Sequence, residues 1–194
     1  MLSIRTSFFT DATKKAGFLE SKDDTVTMEE HSAHAVWRLL MYCYTGDYRE
    51  TNNADITDES TVHDAYLKHI RVHALADMLN IDSLKILAVE KLWLSIRNNW
   101  DVRLFIPCVK ETYATTNKRD KTIRNMLVMA AHKNMAQLVE RKGFVEEFQD
   151  MGEFTVEFLV HVAPSLNSIV NRTSFGVLVQ VLISQIAPPV NNSA

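Results

Sequence analysis

The chain has 194 residues, of which 46% are hydrophobic and 23% charged, the composition of a globular chain and not of a disordered one. Its 5 glycines and 4 prolines fall far below the roughly 12% that average usage gives the two together. That excludes an all-β sandwich or barrel, which needs a turn every 8–12 residues or so, and favours a mostly α fold. With 21 basic and 24 acidic residues, net −3, there is no basic excess of the kind that marks general nucleic-acid binding.

Ser7 is placed to cap a brief helix through Phe8, Phe9 and Ala12. Residues 14–24 read as a loop, and Thr25-Val26-Thr27-Met28 carries the alternation of a short strand. Glu29 to Cys43 is a predicted helix with Ala33, Val36, Trp37, Leu39, Leu40 and Cys43 inward, ended by Thr45-Gly46-Asp47. Tyr42, Tyr44 and Tyr48 flank that turn and are expected to lock the helix end against the core. Residues 49–60 form a polar surface loop. Thr61 to Leu79 is amphipathic, with Val62, Tyr66, Ile70, Leu75, Met78 and Leu79 inward. Asp82 is expected to cap the next helix, which carries Leu84, Leu87, Ala88, Leu92 and Ile96. Asn80-Ile81-Asp82 breaks the first, and two amphipathic helices joined by about three residues form an αα-hairpin.

Further along, Asp101 is a predicted N-cap for a helix carrying Val102, Leu104, Phe105, Val109 and Tyr113, with Pro107 in its first turns. A helix over 119–139 follows the Thr115-Thr116-Asn117 break. Residues 143–163 give one or two short helices, 164–173 a loop, and 174–187 an apolar segment before the tail. Phe175 to Ala187 is too short, and too interrupted by Gln180, Ser184 and Gln185, for the roughly 20 residues of a membrane span. The first 15 residues lack the pattern of a secretory signal, so the sequons at Asn171 and Asn191 are expected to be chance matches. Cys43 and Cys108 cannot frame a disulfide scaffold or a cysteine-rich zinc site, and are expected to be reduced packing residues.

Tests for chemistry find little. His69, His73 and Asp77 share one helical face, a spacing that can present two imidazoles and a carboxylate to a metal. No Glu follows His69 as in His-Glu-x-x-His, and no second ligand cluster is near, so surface or hydrogen-bonded core histidines are the expectation. No Gly-x-Ser-x-Gly elbow, catalytic-cysteine signature, phosphate loop or dinucleotide fingerprint occurs. The pairs Asp23-Asp24, Glu29-Glu30 and Glu146-Glu147 are adjacent and point apart, as solvated groups do. Asn117 to Lys121 with Arg124 reads as a solvated basic face and not as a phosphate site. The chain is therefore not expected to be an enzyme, and no cofactor or metal is expected.

Three strings carry a resemblance. Ser7-Phe8-Phe9-Thr10, Ala12 and Gly17-Phe18-Leu19-Glu20-Ser21-Lys22 come first. Leu39-Leu40-Met41-Tyr42-Cys43-Tyr44-Thr45-Gly46-Asp47-Tyr48 follows. His69 through Ile81 and then Leu84-Lys85-Ile86-Leu87-Ala88 close the set. Together they are similar to the fungal type of BTB/POZ domain over residues 1–97. Residues 98–187 resemble that family's helical continuation more loosely, and 188–194 are a tail. BTB domains have a strand hairpin and a helix before the Ser-x-Phe-Phe string, whereas six residues precede Ser7 here. The resemblance thus implies a partial, N-terminally truncated BTB/POZ fold, α+β when complete, that lacks its first two strands and most of its first helix. The strand at 25–28 is then expected to lack its usual partners, and a homodimer to lack interface elements.

What the resemblance implies is a non-catalytic protein–protein interaction adaptor. Some BTB/POZ proteins dock on a cullin scaffold as substrate receptors of ubiquitin ligases, through a hydrophobic-x-Glu motif. Phe18-Leu19-Glu20 matches it, with Phe18 as apolar anchor and Glu20 as hydrogen-bonding carboxylate. The other reading of the same residues packs Phe18 under its loop and leaves Glu20 solvated. The alternative function is a BTB-type oligomerising transcriptional or chromatin-associated regulator. The chain has no zinc finger or basic region of its own, so any DNA contact would be indirect. Protein partners, no membrane, and a cytoplasmic or nuclear location are expected on either reading.

Overall fold

The computed structural model describes residues 28, 31–51, 56 and 64–170, with side chains to residue 165. Among these the chain is mostly α and holds no strand. Eight helices follow in order: α1 Ala33–Thr45, α2 Asp64–Met78, α3 Asp82–Asn98, α4 Val102–Thr115, α5 Lys121–Lys133, α6 Met135–Glu140, α7 Phe144–Asp150 and α8 Glu153–Val170. The short helix expected after Ser7, the loop at 14–24 and the apolar segment 174–187 lie outside the described residues. So does the strand at 25–28, apart from Met28, which is not in a strand.

The α2–α3 hairpin organises the molecule. Its connection is set by backbone bonds: Ile81 N–H reaches Ala76 C=O at 2.8 Å and Asn80 N–H reaches Asp77 C=O at 3.1 Å. Asn80 has φ 54°, the left-handed conformation that Asn tolerates best after Gly. This is a Schellman ending, and it moves the helix boundary. Ile81, not Asp82, becomes the N-cap of α3. Asp82 instead sits in the first turn, where its charge still faces the helix dipole favourably. Ala76 and Ala88 are both buried, and such small side chains let α2 and α3 approach closely.

Two cores lie along this hairpin. Near its closed end, Val72, Leu75, Ala76, Leu79, Ile81, Leu84 and Ala88 pack on Ala35, Leu39, Tyr42 and Cys43 of α1 and on Tyr48. At its open end, Tyr66, Leu67, Ile70, Leu92 and Ile96 join the larger core built by α4 to α8. Burying each such leucine, isoleucine or phenylalanine contributes about 1.5–3 kcal/mol. The α1 stripe differs from the expected one. His34, Ala35, Arg38, Leu39, Tyr42 and Cys43 are buried, Ala33 is exposed, and Val36, Trp37 and Leu40 are half-buried. The helix is apolar over more than one face, so periodicity alone does not choose the inner one; the hairpin does. Met78, expected inward, is exposed.

Helix ends follow local chemistry. Gly46 has φ 85° and its N–H bonds Tyr42 C=O, closing α1 in the left-handed form. Asp101 caps α4 by accepting Arg103 N–H at 2.8 Å, as its position predicts. Tyr66 Oη accepts Asp101 N–H at 3.1 Å and donates to Asn99 C=O, fastening the α3–α4 link to α2. The expected helix over 119–139 is instead two, because Asn134 closes α5 and its side-chain amide donates to Ala130 C=O at 2.8 Å. α8 runs on through Pro164 to Val170, across residues expected to form a loop. Pro107 and Pro164 each remove the donor to the carbonyl four residues earlier, on Arg103 and Val160. Both of those residues face solvent, where water can take the donor's place.

Candidate functional site

At mid-hairpin, between the two cores, α2 turns His69 and His73 inward, and both are fully buried. Their i, i+4 spacing puts them on one face, but each is claimed by a different neighbour. His69 Nδ1 lies 2.7 Å from Tyr48 Oη. Burial pushes the Tyr48 hydroxyl far up from its ordinary pKa, so it remains protonated and donates to Nδ1. The proton on the ring then sits on Nε2, which faces Ser95 Oγ at 3.2 Å and Glu50 Oε2 at 3.7 Å. Burial lowers the pKa of His69 despite Glu50. The His69 N–H, with Lys68 beside it, holds the Glu50 carboxyl down at about 2, against the opposing effect of burial. Tyr48 is further held by Lys91, whose ammonium lies 4.9 Å from the ring centre and 2.9 Å from Asp47.

His73 Nε2 lies 3.2 Å from Asp120 Oδ2, at the start of α5. Lys85 of α3 links Asp77, at 2.5 Å, to the same Asp120 oxygen at 3.3 Å. Burial also lowers the pKa of His73, and its Nδ1 has no hydrogen-bond partner among the described residues. The His69, His73 and Asp77 stripe is thus divided, each residue engaging its own set of neighbours. The two histidines are core groups joined to polar neighbours, and Asp77 is committed to Lys85. Among the described residues no group of three or more His, Cys, Asp or Glu is arranged to hold a metal ion.

The basic run behaves differently from the expected solvated face. Arg124 is buried, with Nη1 2.9 Å from Glu153 Oε2, Nη2 donating to Thr116 C=O at 3.0 Å, and its guanidinium 4.3 Å over the Tyr113 ring. Lys121 meets Glu157 at 2.9 Å, and Lys118 pairs with Glu153. These cations fasten α5 to α8. The sequence did carry a signal for Arg124, which stands three residues before Leu127 and four before Val128, on the buried stripe. Glu147 of the expected solvated pair is bound to Arg141 in a two-pronged ion pair.

Cys43 and Cys108 are buried thiols, and burial raises the Cys108 thiol's pKa well above its ordinary value, away from nucleophilic use. Tyr42 and Tyr48 lock the end of α1 as expected, Tyr42 through its hydroxyl 2.6 Å from Ser83 Oγ, while Tyr44 is exposed. A groove of about 430 Å³ opens between the start of α1, α2 and α4, lined by His31, Arg71, Asp77, Met78, Glu111 and Thr115. Arg71 already meets Glu111 there at 2.9 Å. The arrangement can orient helices and present surfaces. Phe18 and Glu20, the two residues the resemblance singles out, lie outside the described residues.

No described helix is long and apolar enough to cross a membrane. Comparison with family models, curated proteins and solved structures returned no match.

Proposed function

We propose that the chain is a non-catalytic protein–protein interaction adaptor of BTB/POZ type that docks on a cullin scaffold through Phe18 and Glu20. One observation carries the reading. Two of the strings on which the resemblance rests, 39–48 and 69–88, pack on each other in a single core. Leu39, Tyr42, Cys43 and Tyr48 from the first meet Val72, Leu75, Ala76, Leu79, Ile81, Leu84 and Ala88 from the second. The histidines, the buried arginine and the lysines discussed above are tied to neighbouring helices, which fits a scaffold better than a reaction centre.

The test is co-purification of the tagged full chain with endogenous cullins, beside a Phe18→Ala/Glu20→Ala variant. Recovery of a cullin with the wild type and its loss with the double variant supports the reading. Equal recovery with both removes the named contact. Nuclear accumulation without any cullin favours the alternative, an oligomerising transcriptional or chromatin-associated regulator.

A further inference from the structure

α5 and α8 lie side by side, fixed near their first turns by the ion pairs of Lys118, Lys121 and Arg124 with Glu153 and Glu157. Farther along, the imidazoles of His132 on α5 and His161 on α8 meet edge to face, with ring centroids 5.3 Å apart and planes at 80°. Both residues are exposed, and no hydrogen bond or ion pair within the described residues occupies either ring.

We propose that His132 and His161 form a two-nitrogen site for a borderline divalent transition-metal ion, zinc, nickel or copper, that bridges α5 and α8. Neutral imidazole suits these metals and binds them through a ring nitrogen lone pair. A tetrahedral ion holding two imidazole nitrogens at about 2.0–2.1 Å puts the ring centroids about 5 Å apart. The two helices already hold the side chains at that separation, and a turn of one exposed ring about its Cβ–Cγ bond, out of the edge-to-face contact, is what directs both lone pairs to one ion. The ligands belong to different helices, so the ion cross-links them and its binding couples to stability. Glu157, one turn before His161, is engaged by Lys121 and Tyr113. No third His, Cys, Asp or Glu among the described residues joins the pair, so water completes the shell and the affinity is that of a two-nitrogen chelate.

The test is calorimetric titration of zinc chloride into the metal-free, tag-free full chain near neutral pH, with the His132→Ala and His161→Ala variants beside it. Expected are one ion per chain for the wild type and an affinity at least about tenfold lower in each variant. A His31→Ala control should bind as the wild type does. Saturating zinc raises the melting temperature of the wild type and leaves both variants unmoved. Ring proton and nitrogen resonances of His132 and His161 shift on zinc addition in the wild type, a readout that does not depend on any variant folding. Unchanged affinity in both alanine variants, no binding to the folded wild type at millimolar zinc, or ring shifts confined to other histidines overturns the proposal.

Discussion

Replacing Tyr48 by Phe removes one oxygen and leaves the ring in place. The ring is buried and has Lys91 over it, so the substitution creates no large cavity. What it removes is the donor 2.7 Å from His69 Nδ1, and the His69 side chain is wholly buried. A buried acceptor left unpaired costs about 1–3 kcal/mol, more than the net value of the hydrogen bond it loses. At about 2–4 °C per kcal/mol for a chain of this size, the melting temperature should fall measurably. Urea unfolding followed by far-UV circular dichroism measures the loss directly, with an unchanged m-value as the sign that only stability moved. A double-mutant cycle with His69→Leu should give a coupling energy within about 0.5–3 kcal/mol, because once the imidazole is gone the tyrosine hydroxyl has nothing to satisfy there. A loss below about 0.5 kcal/mol for Tyr48→Phe, or strict additivity in the cycle, refutes the claim that this hydrogen bond satisfies the buried ring.

Acid sensitivity follows from the same place. Burial depresses the pKa of both His69 and His73 below 6.5, so the unfolded chain binds protons there first; stability is full above about pH 6.5 and falls as pH drops below it. The urea midpoint should therefore be lower at about pH 5.5 than at about pH 7.5, and a midpoint independent of pH across this range counts against buried neutral histidines. Neutralising both carboxylates that face Arg124, as Glu153→Gln/Glu157→Gln, leaves a buried guanidinium without counter-charge and should lower the urea midpoint. Arg124→Met removes the buried charge together with its need for a partner and should cost less; the reverse order would show that packing, not charge, holds α5 on α8. Ala76→Leu forces a branched side chain between α2 and α3 and should destabilise by about 1–3 kcal/mol, whereas the same change at exposed Ala33 should stay within about 0.5 kcal/mol.

The αα-hairpin was legible because two amphipathic runs are separated by residues that can only turn. The cap at Asp101 and the left-handed ending at Gly46 were legible for the same reason, since each is a local demand of backbone hydrogen bonds. Asp82 misled because the Schellman ending uses Ile81 twice, as the last bonded residue of one helix and the cap of the next. The loop expected at 164–173 gave way to helix as far as Val170, because Pro164 frees the carbonyl of Val160, which faces solvent, where water can satisfy it.

The polar sites divide in the same way. The i, i+4 spacing of His69 and His73 established that they share a face. It carried no information about Tyr48, Ser95 or Asp120, which come from segments 21, 26 and 47 residues away from the histidines they contact. Arg124 was read with its charged neighbours as part of a solvated face, although its register already aligned it with Leu127 and Val128.

By itself, the sequence determined a helical chain, the hairpin at its centre and the turns that end its helices, because these depend on neighbours within a few residues. The tertiary structure alone decided which face of α1 is inner, that two histidines are core groups with different partners, that a basic run serves as a fastening between α5 and α8, and that His132 and His161 meet. Each of these is a contact between side chains distant in sequence, and it exists only once the apolar faces have been buried and the helices have taken their places.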